Sequence, residues 1–201
     1  MIELGHIDIM TEVSLMSRYL AQPRLGHLQQ FLHIFAFLNS NEWPEICFDP
    51  TKINKTEPTI LPQERAEAKA KVMRSMYLDA IDFLPPNMPP ALGKSVQINA
   101  IVNADHAGEL ATRSSRTGIL MYGNMALLIW LSKRQNTVEY STFGSEFVAM
   151  RVLVEMLIAL RYKLRMFGVH VDGPCNVFCD NQSVTNSSMR AESTLKKKHL
   201  S

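Results

Sequence analysis

The sequence predicts a mixed α/β fold preceded by an N-terminal helical segment, and three observations support this class. Residues 9–39 repeat apolar side chains at helical spacing, and residues 95–133 alternate apolar and polar side chains as strands do. Residues 143–167 then form one long apolar helix before a last short strand. The order strand, strand, strand, helix, strand predicts an antiparallel meander whose fourth strand returns beside the first by a right-handed crossover.

The chain is predicted to have three regions. Residues 1–48 form a helical segment that is broken at Pro23, and its second helix is apolar on more than half of its circumference. Residues 49–94 hold seven of the ten prolines and are predicted to be a connection with one helix, Pro62–Ile81. Residues 95–201 carry the strands and the long helix, and form the predicted domain.

The first strand of that domain, residues 95–105, ends in two polar side chains on one face. Val102 and the apolar residues before it take the opposite face, because successive side chains alternate along a strand. Asn103 and Asp105 therefore point the same way at the carboxyl end of this strand. We treat these two residues as candidate site residues.

The second and third strands, residues 117–123 and 125–133, are predicted to form a hairpin that turns around Gly123-Asn124. Thr142 is the predicted N-cap of the long helix, Phe143–Phe167, which Gly168 ends. Because this helix is apolar nearly all round, we expect the sheet to cover one side and further structure the other.

Three carboxylates fall where functional groups gather in such a sheet, beyond the carboxyl ends of the strands. They are Asp105, Glu146 in the first turn of the long helix, and Asp180 at the end of the strand 176–180. Clustered carboxylates repel each other and become stable by binding hard divalent cations. Each also has a purely structural interpretation, as a strand end, a helix-dipole partner or a turn cap.

The composition is that of a globular chain. Its 201 residues are 46% hydrophobic and 20% charged, and the net charge of +2 is too small to identify a nucleic-acid partner. The three cysteines predict reduced thiols, because a zinc site would need two further ligands that no obvious residues supply. The sequence shows neither a signal peptide nor a membrane-spanning run, so we expect an intracellular protein, cytoplasmic or nuclear, that is not secreted and has no membrane partner.

Five short motifs, with their order and spacing, resemble the ribonuclease H region of copia-type LTR-retrotransposon polyproteins. Residues 7–38 are also similar to the helical segment after the polymerase core of the reverse transcriptase region in those polyproteins. The proline-rich middle is unmatched. The motifs are Asn103–Gly108, Thr112–Gly118, Ser132–Gln135, Ser141–Phe147 and Cys179–Gln182.

This resemblance implies a hydrolase that cleaves RNA in RNA/DNA hybrids with two bound Mg²⁺ or Mn²⁺ ions. The implied metal positions are Asn103, Glu146 and Asp180, with Asp105 as a partial substitute, and the implied catalytic residues are Glu146, Asp180 and Asp105. The implied partners are an RNA/DNA hybrid and the rest of a polyprotein. Candidate nucleic-acid contacts are Arg113, Arg116, Lys133, Arg134, Asn181 and Gln182.

The sequence departs from the family pattern in two ways. Asn103 stands where the family has an aspartate, and the further strand and helix that carry a fourth acidic residue are missing. We therefore expect an incomplete ribonuclease-H-like fold, impaired hydrolysis and an uncovered sheet edge that favours self-association. The alternatives are a nucleic-acid-binding or interaction protein without catalysis, or a decayed element copy with no retained role.

Overall fold

Two β-sheets and four α-helices form the part of the chain that the structure describes. The structure is a computed structural model, and it describes residues 6–41, 46, 48–52, 86–108 and 112–189. The helices are α1 (Met10–Met16), α2 (Leu25–Ser40), α3 (Thr142–Met166) and α4 (Gln182–Ser188), with a 3-10 turn at Ser17–Tyr19. The strands are β1 (Leu92–Val96), β2 (Ile98–Asp105), β3 (Arg116–Gly123), β4 (Ala126–Arg134), β5 (Val169–Val171) and β6 (Asn176–Cys179).

The larger sheet has the strand order β4-β3-β2-β6. Strands β2, β3 and β4 pair as an antiparallel meander, and β6 returns after α3 to pair in parallel with β2. The mixed α/β prediction, with its meander and crossover strand, is confirmed, and the topology is consistent with a ribonuclease-H-like fold. The turn at Asn124, which has a positive φ of 57°, is also confirmed.

The first predicted strand is in fact two strands. The prediction of one strand over residues 95–105 was wrong, because the chain leaves the larger sheet at Gln97 and β1 pairs in parallel with β5 in a second sheet. Asn124 causes the break. Its side-chain Oδ1 accepts a hydrogen bond from Gln97 N (3.0 Å), and its backbone N donates to Gln97 O (2.7 Å).

Helix α3 begins one residue earlier than predicted. Ser141, rather than Thr142, is the N-cap: its backbone is extended and its hydroxyl accepts a hydrogen bond from Gly144 N at 3.1 Å. Thr142 is instead the first helical residue. The predicted end of the helix is confirmed, since Gly168 has a φ of 72° and its N donates to Arg165 O at 2.9 Å.

The core lies between one face of the larger sheet and α3. It is a continuous apolar cluster from strands β2 and β3, helix α3 and strand β5. In the strands, the buried side chains are the alternate apolar residues that the sequence pattern placed on one face, and their burial stabilises the fold. On the far side of α3, Val154, Ile158 and Tyr162 are exposed, so within the described residues no further structure covers that stripe. The buried members are Ile98, Ala100, Val102, Ile119, Met121, Ala149, Leu153, Leu157, Leu160 and Val171.

The two helices predicted in residues 9–39 are confirmed as α1 and α2, and α1 packs against the sheet. The Ser14 hydroxyl donates to Ser132 O of β4 at 2.9 Å, and the Arg116 guanidinium donates to the same hydroxyl. Within the described ranges, no helix is both long and apolar enough to cross a membrane. The predicted helix Pro62–Ile81 lies outside the described residues.

The division into three regions and the expected self-association stay predictions. Strand β1 starts at Leu92, so it crosses the predicted boundary before residue 95. In the described part of the chain, β6 has a neighbouring strand on one side only, which is the arrangement that an edge-mediated association would use.

Candidate metal centre at the ends of β2 and β6

Two of the predicted acidic residues meet, together with a cysteine that sequence analysis did not select. Glu146, Cys179 and Asp180 each offer one oxygen or sulfur atom, and these atoms all lie within 4.8 Å of one another. Helix α3 supplies the glutamate in its second turn, one residue later than predicted, and β6 brings the other two beside the end of β2.

Glu146 is the buried member of the group. Its side chain is only 6% exposed, and Oε2 has no hydrogen-bond partner among the described residues. Burial raises the pKa of Glu146, a hydrogen bond from the Ala104 backbone opposes that rise, and the charge of Asp180 adds to it. An unpartnered carboxylate oxygen in this position is a ready ligand for a cation, which would offset the cost of burial.

Cys179 lies on the same side of the sheet as Glu146. It pairs in register with Val102, whose side chain is buried in the core against α3, and paired residues of parallel strands present their side chains to one face. Burial raises the pKa of the Cys179 thiol, and the charges of Glu146 and Asp180 raise it further. The signal for this residue was its place directly before Asp180, but its face depended on a register that the sequence did not specify.

Asp180 and Asn103 hold equivalent places at adjacent strand ends. Each directly follows a member of the last β2–β6 register pair, Val102 and Cys179, and each is exposed. Asn103 pairs with Gly118 of β3, and its side chain lies on the sheet face opposite to that of Val102. The register therefore places residues 103 and 180 at adjacent positions along this edge, with the Asn103 side chain on the sheet face opposite to that of Cys179.

Asp105 turns away from this group. Its carboxylate occupies the space beside Gly108, where an added Cβ would lie 1.7 Å from Asp105 Oδ2. The group that Glu146 forms among the described residues does not include Asp105. Gly108 thus has a local reason to be glycine, and the Asp105 carboxylate packs against its own connecting loop.

The basic candidates differ in their surroundings. Arg116 is 8% exposed and its guanidinium is bound to Ser14 of α1. Arg113, with a positive φ of 55°, and Lys133 and Arg134 at the end of β4 are exposed. The side chains of these three residues are exposed to solvent, whereas that of Arg116 helps to hold α1 against the sheet.

The two polar candidates at the start of α4 have different roles. Asn181 is the N-cap of α4, where its Oδ1 accepts hydrogen bonds from Ser183 N (3.0 Å) and Val184 N (3.2 Å). Gln182, the first helical residue, is exposed. The cap explains why an asparagine follows Asp180 and holds the turn that carries the carboxylate.

Fold and site together describe a mixed α/β protein with an acidic candidate metal centre, and the sequence is similar to a retrovirus-related Pol polyprotein. That relative is the Pol polyprotein from transposon TNT 1-94 of Nicotiana tabacum, with 30% identity over 108 residues. The match covers 54% of this chain but 8% of the relative, so the chain spans less than a tenth of that polyprotein. No family model and no solved structure matches the chain. The expected similarity to a retrotransposon polyprotein is thus supported.

Proposed function

We propose that this chain is a piece of a retrotransposon polyprotein, derived from its ribonuclease H region, with impaired hydrolysis of RNA in RNA/DNA hybrids. The observation that carries the proposal is the meeting of Glu146 and Asp180, where one carboxylate is buried with an unpartnered oxygen. The similarity to a transposon Pol polyprotein supports the same origin.

The two carboxylates fit a hard divalent cation. Mg²⁺ and Mn²⁺ prefer oxygen ligands, and Glu146 Oε2 is an oxygen without another partner among the described residues. Glu146 and Asp180 would hold the ion. When bound, such ions activate a water molecule and stabilise the leaving oxygen of a phosphodiester.

The amide at Asn103 is the reason to expect impaired hydrolysis. A neutral amide oxygen can coordinate a cation but lacks the negative charge that helps to hold two dications near each other. Asp105, whose carboxylate is turned toward Gly108, does not supply that charge to the group at Glu146. The expected loss exceeds the roughly 10- to 100-fold effect of changes in residues that only support a metal ligand.

An RNA/DNA hybrid is the proposed substrate because its phosphates suit the exposed cations near the same strand ends. Arg113 lies in the connection before β3, and Lys133 and Arg134 lie at the end of β4. Phosphate contacts of this kind position a duplex, and the 2′-hydroxyl groups distinguish RNA from DNA.

The test is a cleavage assay on an end-labelled RNA/DNA hybrid with Mg²⁺ or Mn²⁺. We expect weak cutting that Glu146→Gln and Asp180→Asn each abolish. Glu155→Gln is the matched control, since Glu155 is exposed on the same helix and pairs with Arg151 at 3.5 Å. Strong cutting by the unaltered chain would contradict the proposed impairment. A complete lack of cutting by both this chain and Asn103→Asp would exclude hydrolysis.

Hybrid binding without cleavage is the second candidate, and the exposure of Arg113, Lys133 and Arg134 favours it. Binding should weaken steeply as salt rises, because phosphate contacts release bound counterions. No binding at low salt would exclude it and would leave a decayed element copy without a retained role. A reading frame that continues in the flanking DNA would identify such a copy.

A further inference from the structure

The candidate metal centre contains a sulfur atom that a magnesium site does not use. Cys179 Sγ lies in the same group as the carboxylate oxygens of Glu146 and Asp180, with all three atoms within 4.8 Å of one another. Mg²⁺ and Mn²⁺ favour oxygen, whereas Zn²⁺ and Co²⁺ also accept cysteine sulfur. The sulfur in this group therefore favours a cation such as Zn²⁺ or Co²⁺ over Mg²⁺ or Mn²⁺.

A second observation points to a ligand at this position. The Glu146 side chain is more than nine-tenths buried, and its Oε2 has no hydrogen-bond partner within the described residues. A buried carboxylate oxygen left without a partner costs free energy, which a bound cation would offset. The group thus combines a sulfur, an exposed carboxylate and a buried carboxylate with one oxygen that has no partner among the described residues.

We propose that Glu146, Cys179 and Asp180 form a three-ligand site for a thiol-accepting divalent cation of the Zn²⁺ class. Three protein ligands leave one tetrahedral position open for water or an added ligand. In a tetrahedral zinc site the ligand atoms are about 3.3 to 3.5 Å apart, given zinc–oxygen and zinc–sulfur distances of about 2.0 and 2.3 Å. Asp180 is exposed at the end of β6, so its side chain can rotate and bring a carboxylate oxygen to this distance from the other two ligand atoms.

The ligand set favours this cation over a pair of hard ions. One of its three ligands is a sulfur, and the two others are carboxylates. The sequence predicts reduced thiols because it shows no further ligands near the cysteines. The fold brings those ligands from α3 and from the residue after β6.

The proposal shares Glu146 and Asp180 with the proposed function, but it does not depend on hydrolysis, so its test reads metal binding directly. The full chain, kept reduced with a phosphine, is titrated with Co²⁺ as the probe. We expect a sulfur-to-cobalt charge-transfer band in the near ultraviolet that added Zn²⁺ displaces. Cys179→Ser should abolish the band and weaken Zn²⁺ binding at least about tenfold.

Two control variants test whether the sulfur is that of Cys179. Cys175→Ser removes a partly buried thiol four positions earlier, one that lies against the Arg161 guanidinium, and Cys47→Ser removes the remaining cysteine. Both should keep the band and the Zn²⁺ affinity. Circular dichroism of each variant without metal establishes that it is folded.

A band that persists in Cys179→Ser, or that either control abolishes, would overturn the proposal. Zn²⁺ affinity unchanged in folded Cys179→Ser would overturn it as well. Hybrid cleavage is a separate result: an intact band without any cleavage removes the proposed hydrolysis and keeps the zinc site. Mg²⁺-dependent cleavage without a cobalt band removes the zinc site and keeps the proposed hydrolysis.

Discussion

The imidazole Nδ1 of His106 lies 2.8 Å from the hydroxyl oxygen of Ser145, the residue directly before Glu146. The Ser145 side chain is fully buried, and its hydroxyl is also 2.8 Å from that of Ser115. Ser115 in turn accepts a hydrogen bond from Ala107 N at 3.1 Å. This chain of polar groups joins the β2–β3 connection to the turn of α3 that carries the buried carboxylate.

Replacing His106 by alanine should destabilise the protein. The change removes one partner of a buried hydroxyl, and we expect the free energy of unfolding to fall by about 1 kcal/mol. Urea denaturation followed by circular dichroism measures this change. His170→Ala, which alters an exposed histidine of β5, is the matched control and should cost less. Equal losses in the two variants would show that the His106–Ser145 contact contributes nothing specific.

Gln135 is expected to be a larger source of stability. Its side chain is 5% exposed, and Nε2 donates to Thr117 Oγ1 (3.1 Å) and to Ser145 O (2.8 Å). Gln135→Leu leaves both acceptors without that donor and should lower the free energy of unfolding by about 1–3 kcal/mol. Asn136→Leu, at the next and exposed position, should change it little. If the two variants unfold at the same denaturant concentration, the bonds of Gln135 are not stabilising.

Glu146 should make the metal-free protein less stable as the pH rises. Burial raises the pKa of Glu146 above its ordinary value of 4.5, so in the range just above that value the folded chain binds more protons than the unfolded chain. Stability therefore falls with rising pH through this window and levels off above the folded pKa. Glu146→Gln removes this contribution.

Thermal unfolding across that pH range, with a chelator present, measures the effect. Glu146→Gln should flatten the decline and raise the melting temperature at neutral pH, whereas Glu155→Gln should leave the pH profile unchanged. A saturating divalent cation should stabilise the unaltered chain more than Glu146→Gln, so the unaltered chain should then have the higher melting temperature. An identical pH profile for the unaltered chain and Glu146→Gln would refute the assignment of the decline to this carboxylate.

Asn103→Asp should add a negative charge at the strand end next to that of Asp180. We expect Mg²⁺ affinity to rise more than about tenfold, as measured by titration calorimetry, because a carboxylate holds a hard cation better than an amide. Asn136→Asp adds the same charge at an exposed position on the β4–α3 connection and should not change the affinity. Unchanged Mg²⁺ affinity in Asn103→Asp would mean that position 103 is not a ligand.

Local signals account for the parts of the fold that the sequence predicted well. The turn at Asn124 and the helix end at Gly168 both need a positive φ, which asparagine and glycine adopt at low cost. The sequence alone does not distinguish Ser141 from Thr142 as the N-cap, because both side chains carry a hydroxyl that can cap a helix. The extended backbone of Ser141 decides it.

Long-range contacts account for the rest. The break at Gln97 depends on Asn124, which is 27 positions away, and the short β5 becomes a strand only by pairing with β1. The meeting of Glu146 and Asp180 followed from the strand order alone. The position of Cys179 needed the register with Val102, which no local pattern specifies.

The hydrogen bond between Ser14 and Ser132 closes a loop of great length, since the two residues are 118 positions apart. The entropy lost on closing a flexible loop grows only with the logarithm of its length, so doubling this separation would cost only about 0.6 kcal/mol more. The docking of α1 on β4 therefore tolerates insertions and deletions in the connection between α2 and β1, which lies within this loop. Length variation there should accumulate at little cost in stability, while the short β3–β4 turn at Asn124 permits almost none.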